Sequence, residues 1–138
     1  MDRHLTLIKE VQLPSTPASI ADVEQLIDSA CSSLQLNEDS YGNVLIAVTE
    51  GVNNAIIHGN QMNANLQILV SVLNNEEWIC FSIKDHGPGF DPDAVPDPTE
   101  PENILKENGR GIFLMRNLSD DLSFEEKGTR VNIYFRRW

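Results

Sequence analysis

The stretch LIAVTEGVNNAIIHGN, residues 45–60, decides how the rest of this chain is read. At about 100° per residue, Val44, Val48, Val52, Ala55 and Ile56 fall in one broad sector, and Ile46 and Ile57 lie nearly opposite. Glu50, Asn54 and His58 form a stripe between these apolar surfaces. A helix that is apolar on most sides is normally buried. A carboxylate and an amide on such a helix need partners, because burying them bare is costly. Another side chain, a metal ion or a ligand would each serve.

Working outward, His4 to Leu13 alternates partly and reads as a first strand. A first helix follows, from about Ala18 to Leu36, with Ser15 or Thr16 as cap, Pro17 in the first turn, and an apolar stripe of Ile20, Val23, Ile27, Ala30, Cys31 and Leu34. Asn37 to Ser40 breaks the chain and caps the second helix, which carries the opening stretch and ends near Gly59. Leu66, Ile68, Val70 and Val72 alternate, as do Ile79, Phe81 and Ile83 after a turn at Asn74 and Asn75, which predicts an antiparallel hairpin. Between Asp91 and Glu102 lie four prolines and five acidic residues, a surface loop by composition. Ile112, Phe113, Met115 and Leu118 suggest a short helix after Gly111. Leu122 and Phe124, a turn at Lys127 and Gly128, and Val131, Ile133 and Phe135 predict a C-terminal hairpin. Hairpins interleaved with a few helices point to an α/β (α+β) two-layer sandwich in one domain spanning residues 1–138.

The formal net charge is −11 over 138 residues. A nucleic-acid binder would need a basic face for phosphates, and any polyanionic ligand here needs a cation or a local patch of N–H groups. No run approaches the roughly 20 apolar residues of a membrane span, and no secretory signal precedes the first strand. A cytoplasmic protein is the expectation, with Cys31 and Cys80 as reduced, buried thiols outside any metal-ligand spacing.

Three further segments bear on the polar stripe. Asp85-x-Gly87-x-Gly89 closes a strand. A carboxylate there can accept from an amino group on a flat heterocycle, and the glycines leave room for the ring. Gly109-Arg110-Gly111 precedes the short helix and makes a plausible phosphate cradle, with Arg110 as the cation. Thr129 follows a glycine at the start of the last strand. On the helix, the amide oxygen of Asn54 suits magnesium, which takes most of its other ligands from water and phosphate. Glu50, one turn earlier, can orient or deprotonate an attacking hydroxyl. Each signal alone is common in ordinary turns and helix packing.

Together, Glu50-x-x-x-Asn54-Ala55, Asp85-x-Gly87-x-Gly89, Gly109-x-Gly111 and Gly128-Thr129 resemble the GHKL ATPase superfamily, which includes gyrase, Hsp90, histidine kinases and MutL. Within it, residues 47–60 look like the helix motif of bacterial anti-sigma factor serine/threonine kinases. The resemblance implies a mixed, mostly antiparallel sheet with helices on one face (the Bergerat-type ATP-binding fold) and a short ATP lid around residues 91–110. It implies ATP and Mg²⁺ as cofactors, with Asn54 as the metal ligand and Glu50 as the catalytic base. Asp85 matches the adenine-binding carboxylate, with Gly87 and Gly89 beside the base; Gly109 and Gly111 match the glycine box near the phosphates, and Thr129 supports the adenine contact. Arg110 has no fixed counterpart, so its phosphate role rests on its charge alone.

The function this resemblance implies is an ATP-dependent serine/threonine protein kinase that acts as an anti-sigma factor. Its substrate would be a STAS-type anti-anti-sigma protein, and a sigma factor or another response regulator would be the second partner. Homodimers occur in the family, although nothing in the sequence locates a dimer face. Two rivals stand beside it: a nucleotide-binding regulatory module that sequesters a partner without phosphoryl transfer, and the ATP-binding part of a histidine kinase, which would require upstream dimerisation helices.

Overall fold

The computed structural model describes residues 4–87 and 107–137; for residues 107–110 the backbone alone is described. The predicted lid and Gly89 therefore fall mostly outside the described residues. The strands are β1 (Thr6–Pro14), β2 (Gln67–Asn74), β3 (Trp78–Lys84), β4 (Asp121–Glu125) and β5 (Arg130–Arg136). They form one sheet in the order β1-β2-β3-β5-β4, and every described pairing is antiparallel. The helices are α1 (Ser19–Ser33), α2 (Glu38–Asn54) and α3 (Glu107–Leu118). Their buried residues join one core with the inward residues of the sheet, giving the expected two-layer α+β sandwich. No described helix is long and apolar enough to cross a membrane.

Alternation decides which sheet face is covered. Val70, Val72, Phe81, Ile83, Val131 and Ile133 are buried under the helices, where Val23, Ile27, Val44, Val48, Val52, Ile56 and Met115 meet them. Burying each such side chain stabilises the fold by about 1.5–3 kcal/mol. The opposite face carries Glu10, Ser71, Ser82, Arg130 and Asn132. Arg130 Nη1 donates to Ser82 Oγ at 2.7 Å, and Asn132 Nδ2 to Glu125 Oε1 at 2.6 Å. Both cysteines are buried and form no disulfide, and burial together with the charge of Asp28 pushes the Cys31 thiol up to about 11.

Several local expectations need correcting. Neither Ser15 nor Thr16 caps α1, whose N-cap residue is Ala18 with no side-chain bond. The Ser15 hydroxyl instead donates to the Leu66 carbonyl at 2.6 Å, while Ser19 Oγ donates to Pro14 O at 2.7 Å. Asn37 does cap α2, its side chain accepting from Ser40 N at 2.8 Å. Ile46 is 47% exposed: α2 is covered by the sheet and by α3 but not all round. The third helix begins at Glu107, so Gly109 and Gly111 lie within its first turns rather than ahead of it.

The end of α2 sets up the site. After Asn54 the helix widens into a π turn, Ala55–Gly59, in which Asn60 N donates to Ala55 O at 2.8 Å, five residues back. Gln61 and Met62 then take left-handed backbone angles (φ 54° and 57°) and end the helix. Asn60 is buried and ties three segments together. Its Nδ2 donates to Ser15 Oγ at 2.8 Å and to Gln67 O at 3.2 Å, and its Oδ1 accepts from His86 N at 2.7 Å.

Replacing Asn60 strands those groups without solvent. Asn60→Ala is expected to lower stability by about 2–3 kcal/mol, read as a shift in the urea midpoint with an unchanged slope.

Candidate nucleotide site

The cleft opens where β3 and β5 end beneath α2. Strand β3 runs through Lys84, which pairs with Arg130. The next residue, Asp85, donates its N–H to Thr129 O at 2.9 Å, so the two side chains arrive together at the edge of the helix layer. Asn54, Ala55, His58, Gly59, Asp85, Gly128 and Thr129 line one side of the cleft. Its apolar floor is Ile83, Ile112, Met115, Phe124 and Val131. The cleft is open to solvent at its mouth.

Asp85 is nearly buried. Its Oδ1 accepts the Gly87 N–H at 2.8 Å, and burial holds its pKa above the ordinary aspartate value, against the lowering pull of Gly87 N–H, Lys84 and His86. The carboxyl lies directly against Gly59. A Cβ at Gly59 would collide with all three carboxyl heavy atoms, and one at Gly87 would collide with the Gly59 carbonyl. The two glycines are thus required by close approach: one makes room for Asp85 and the other for the helix end.

Glu50 and Asn54 stand beside Gly111 of α3. A Cβ at Gly111 would lie 2.9 Å from Asn54 Nδ2, 3.0 Å from Asn54 Oδ1 and 3.2 Å from Glu50 Oε2. Both side chains are half-buried, and among the described residues neither makes a side-chain hydrogen bond. Gly111 therefore brings the start of α3, whose first four N–H groups lack helical acceptors, close to the polar stripe of α2. Gly109 and Arg110 occupy that same turn; the Arg110 side chain lies outside the described residues, as does Gly89. Among the described residues no group of three or more His, Cys, Asp or Glu could hold a metal ion. A divalent cation at Asn54 would have to take its remaining ligands from water or from a phosphorylated ligand, which suits a single amide oxygen and Mg²⁺.

Of the predicted site residues, Asn54, Asp85 and Thr129 share the cleft, Glu50 and Gly111 meet at its border, and Gly87 packs behind Asp85. Sequence reasoning missed several contributors. Gly59 enters the sequence reading only as the residue near which the second helix ends, and His58 only as part of the polar stripe; His58 is exposed and lines the cleft. Gly51 gives no sequence signal, yet a Cβ there would sit 2.8 Å from Ile83 Cδ1 and 3.3 Å from Met115 Sδ. Its missing side chain lets sheet and α3 close under the cleft.

A two-layer sandwich with an acid-and-glycine strand end facing a Glu/Asn helix is the arrangement that the resemblance to the GHKL ATPases implies. Residues 13–135 match the histidine kinase-like ATPase domain, and the chain belongs to that family. Its ligand is accordingly ATP. Relatives include the serine-protein kinase RsbW of Oceanobacillus iheyensis, 25% identical over 124 residues, covering 86% of this chain and 78% of the relative. The anti-sigma F factor of Bacillus subtilis is 31% identical over 114 residues, covering 78% and 77%. That of Bacillus thuringiensis is 37% identical over 93 residues, covering 62% of each.

Asp85 links function to stability. The folded chain binds its proton more tightly than the unfolded chain does, so the ionised carboxyl costs stability at neutral pH and ceases to do so as pH falls into the ordinary carboxylate range. Asp85→Asn should therefore keep or raise the melting temperature at pH 7, with the difference from wild type shrinking on acidification. The same variant should lose ATP binding in calorimetry. Gly59→Ala should lose ATP binding and stability together, because its Cβ displaces the carboxyl.

Proposed function

We propose that this chain is an ATP-dependent serine/threonine protein kinase acting as an anti-sigma factor, and that its substrate is a STAS-type anti-anti-sigma protein. The observation that carries this reading is the meeting of Glu50, Asn54 and the first turns of α3 at one border of the cleft that Asp85 and Thr129 line. The names of the relatives, serine-protein kinase and anti-sigma F factor, support the same reading.

Each residue has a role at one end of the nucleotide. Asp85 accepts from the adenine amino group, with Thr129 beside it; Gly87 lets the strand end close on Gly59 and so holds Asp85 in place, and the family resemblance puts Gly89 beside the base. Asn54 would hold Mg²⁺ through its amide oxygen, and the ion would supply positive charge to offset the phosphates. The N–H groups around Gly109 and Gly111, with the Arg110 guanidinium, take up the phosphates. They supply local positive potential that a chain of net charge −11 otherwise lacks. Glu50 aligns the seryl or threonyl hydroxyl and accepts its proton as the hydroxyl oxygen bonds to the terminal phosphorus and ADP departs.

Regulation follows from charge. The unphosphorylated antagonist binds the kinase and frees the sigma factor; phosphorylation adds close to two negative charges to a surface meeting an acidic protein, and the pair separates. The family resemblance extends the proposal to a homodimer.

Glu50→Gln should bind ATP with wild-type affinity yet lose at least about 100-fold in phosphoryl transfer to the antagonist. If partner regulation persists in that variant while transfer is lost, the protein is a sequestering module rather than a kinase. Asn54→Ala should abolish the gain in ATP affinity that Mg²⁺ gives the wild type, measured by titration with and without the metal. An acid-stable phosphoamino acid on the retained partner separates this activity from histidine phosphorylation.

A further inference from the structure

Lys84 lies just behind the cleft wall. Its Nζ donates to Thr129 Oγ1 at 2.6 Å and pairs with Glu126 Oε2 at 3.1 Å. Thr129 Oγ1 in turn donates to the Glu126 carbonyl at 2.7 Å. Arg130 Nε holds the same Glu126 carboxylate at 3.0 Å, and both cations keep that carboxyl below its usual pKa. Glu126 and Lys127 are held at φ 54° and 61°, where non-glycine residues rarely sit, so the turn that presents the Glu126 carbonyl is fixed by this network rather than by local preference.

A threonine hydroxyl has one hydrogen to give and two lone pairs. The Lys84 ammonium has donors and no acceptor, so the Thr129 hydrogen turns away from it and onto the Glu126 carbonyl. That uses the hydrogen and one lone pair. What Thr129 has left for a ligand is a single lone pair, next to an Asp85 carboxylate that, when ionised, is also acceptor-only. The polar end of the cleft then presents acceptors to the base.

We infer that Lys84 is a specificity-positioning residue: by fixing the direction of the Thr129 hydroxyl, it makes the base site accept an amino group and reject a carbonyl at the same ring position. This rests on the nucleotide reading above and adds to it a residue outside the cleft lining that acts through Thr129. Without the ammonium, the hydroxyl can swing its hydrogen toward the ligand and serve a 6-oxo purine.

The test compares ATP with ITP, which carries a carbonyl where ATP carries the amino group. Affinities are measured by calorimetry on the full chain, and kcat and KM with each nucleotide on the same samples. Wild type is expected to prefer ATP. Lys84→Met should reduce that preference roughly tenfold, mostly through tighter ITP binding and a lower KM for ITP, with kcat unchanged because the reacting phosphate is at the other end. Lys84→Arg, which keeps a donor and no acceptor, should retain the preference.

Lys84 also lowers the Asp85 pKa, and losing that effect could by itself admit a carbonyl. A double-mutant cycle with Thr129→Val separates the two routes: if Lys84 acts through the hydroxyl, Lys84→Met changes nothing once Thr129→Val is already in place. An unchanged ATP/ITP ratio in Lys84→Met, or an equal change when it is added to Thr129→Val, overturns the inference. Should Lys84→Met not fold, Thr129→Ser and Thr129→Val carry the test, with selectivity expected to be kept in the first and relaxed in the second. Selectivity unaltered in both overturns it. Failure of wild type to bind either nucleotide overturns the nucleotide reading itself, and this inference with it.

Discussion

The structure turns on one steric constraint: a carboxylate is pressed against the backbone at the end of a helix, where no Cβ can fit. Asp85 and Gly59 share that space, and Gly87 completes the contact from the other side. Once the helix end and strand end are this close, much of the site follows. The β3 exit is bonded to the β5 entry, Asp85 N to Thr129 O, so Thr129 is carried to the same edge. Asn60 fixes the exit loop from behind by accepting the His86 N–H. Gly111 brings α3 against Glu50 and Asn54 by the same device, the removal of a side chain where two backbones converge.

Close approach also explains the electrostatics. A carboxyl wedged between backbone segments is desolvated, and its own strand end gives it one N–H and a nearby lysine in partial return. The chain tolerates an ionisable group where an amide would be cheaper; the proposed adenine contact would supply the reason. The overall acidity sharpens the trade. Long-range repulsion of an anionic nucleotide would have to be overcome locally, and under the proposed function helix N–H groups and an ion do so rather than a basic surface.

Much of the residue set that meets around the candidate cleft could be read from sequence because its chemistry is unusual in context. Examples are Glu50 and Asn54 on an apolar helix, and Asp85 before two spaced glycines. The alternation of β2, β3 and β5 was equally plain, and so was the two-layer architecture. What escaped detection depends on contacts between segments far apart in the chain. Ser15 has the right identity and place for a helix cap, but a carbonyl 51 positions away takes its hydroxyl. Ile46 belongs to an apolar wheel, yet the described helices, packed on one face of the sheet, leave its side uncovered. The first turn of α3 is polar and glycine-containing, so its periodicity emerges only from Ile112 onward. Gly51 carries no pattern and Gly59 signals only a helix end; what else they do is the absence of an atom, visible only once the neighbours are in place.

The widened turn at Ala55–Gly59 has a consequence for how this stretch can vary. A π turn houses one residue more than an α-helical turn would. Taking that residue out would leave an α-helical turn in its place, and the Asn60 N–H to Ala55 O bond that closes the turn around Gly59 would be lost. Gly59 would then no longer be set against the Asp85 carboxyl by this turn. Between Asn54 and Asn60 the spacer works as a gauge block: its length is dictated by geometry, whereas Ile57, half-exposed within it, leaves latitude in composition.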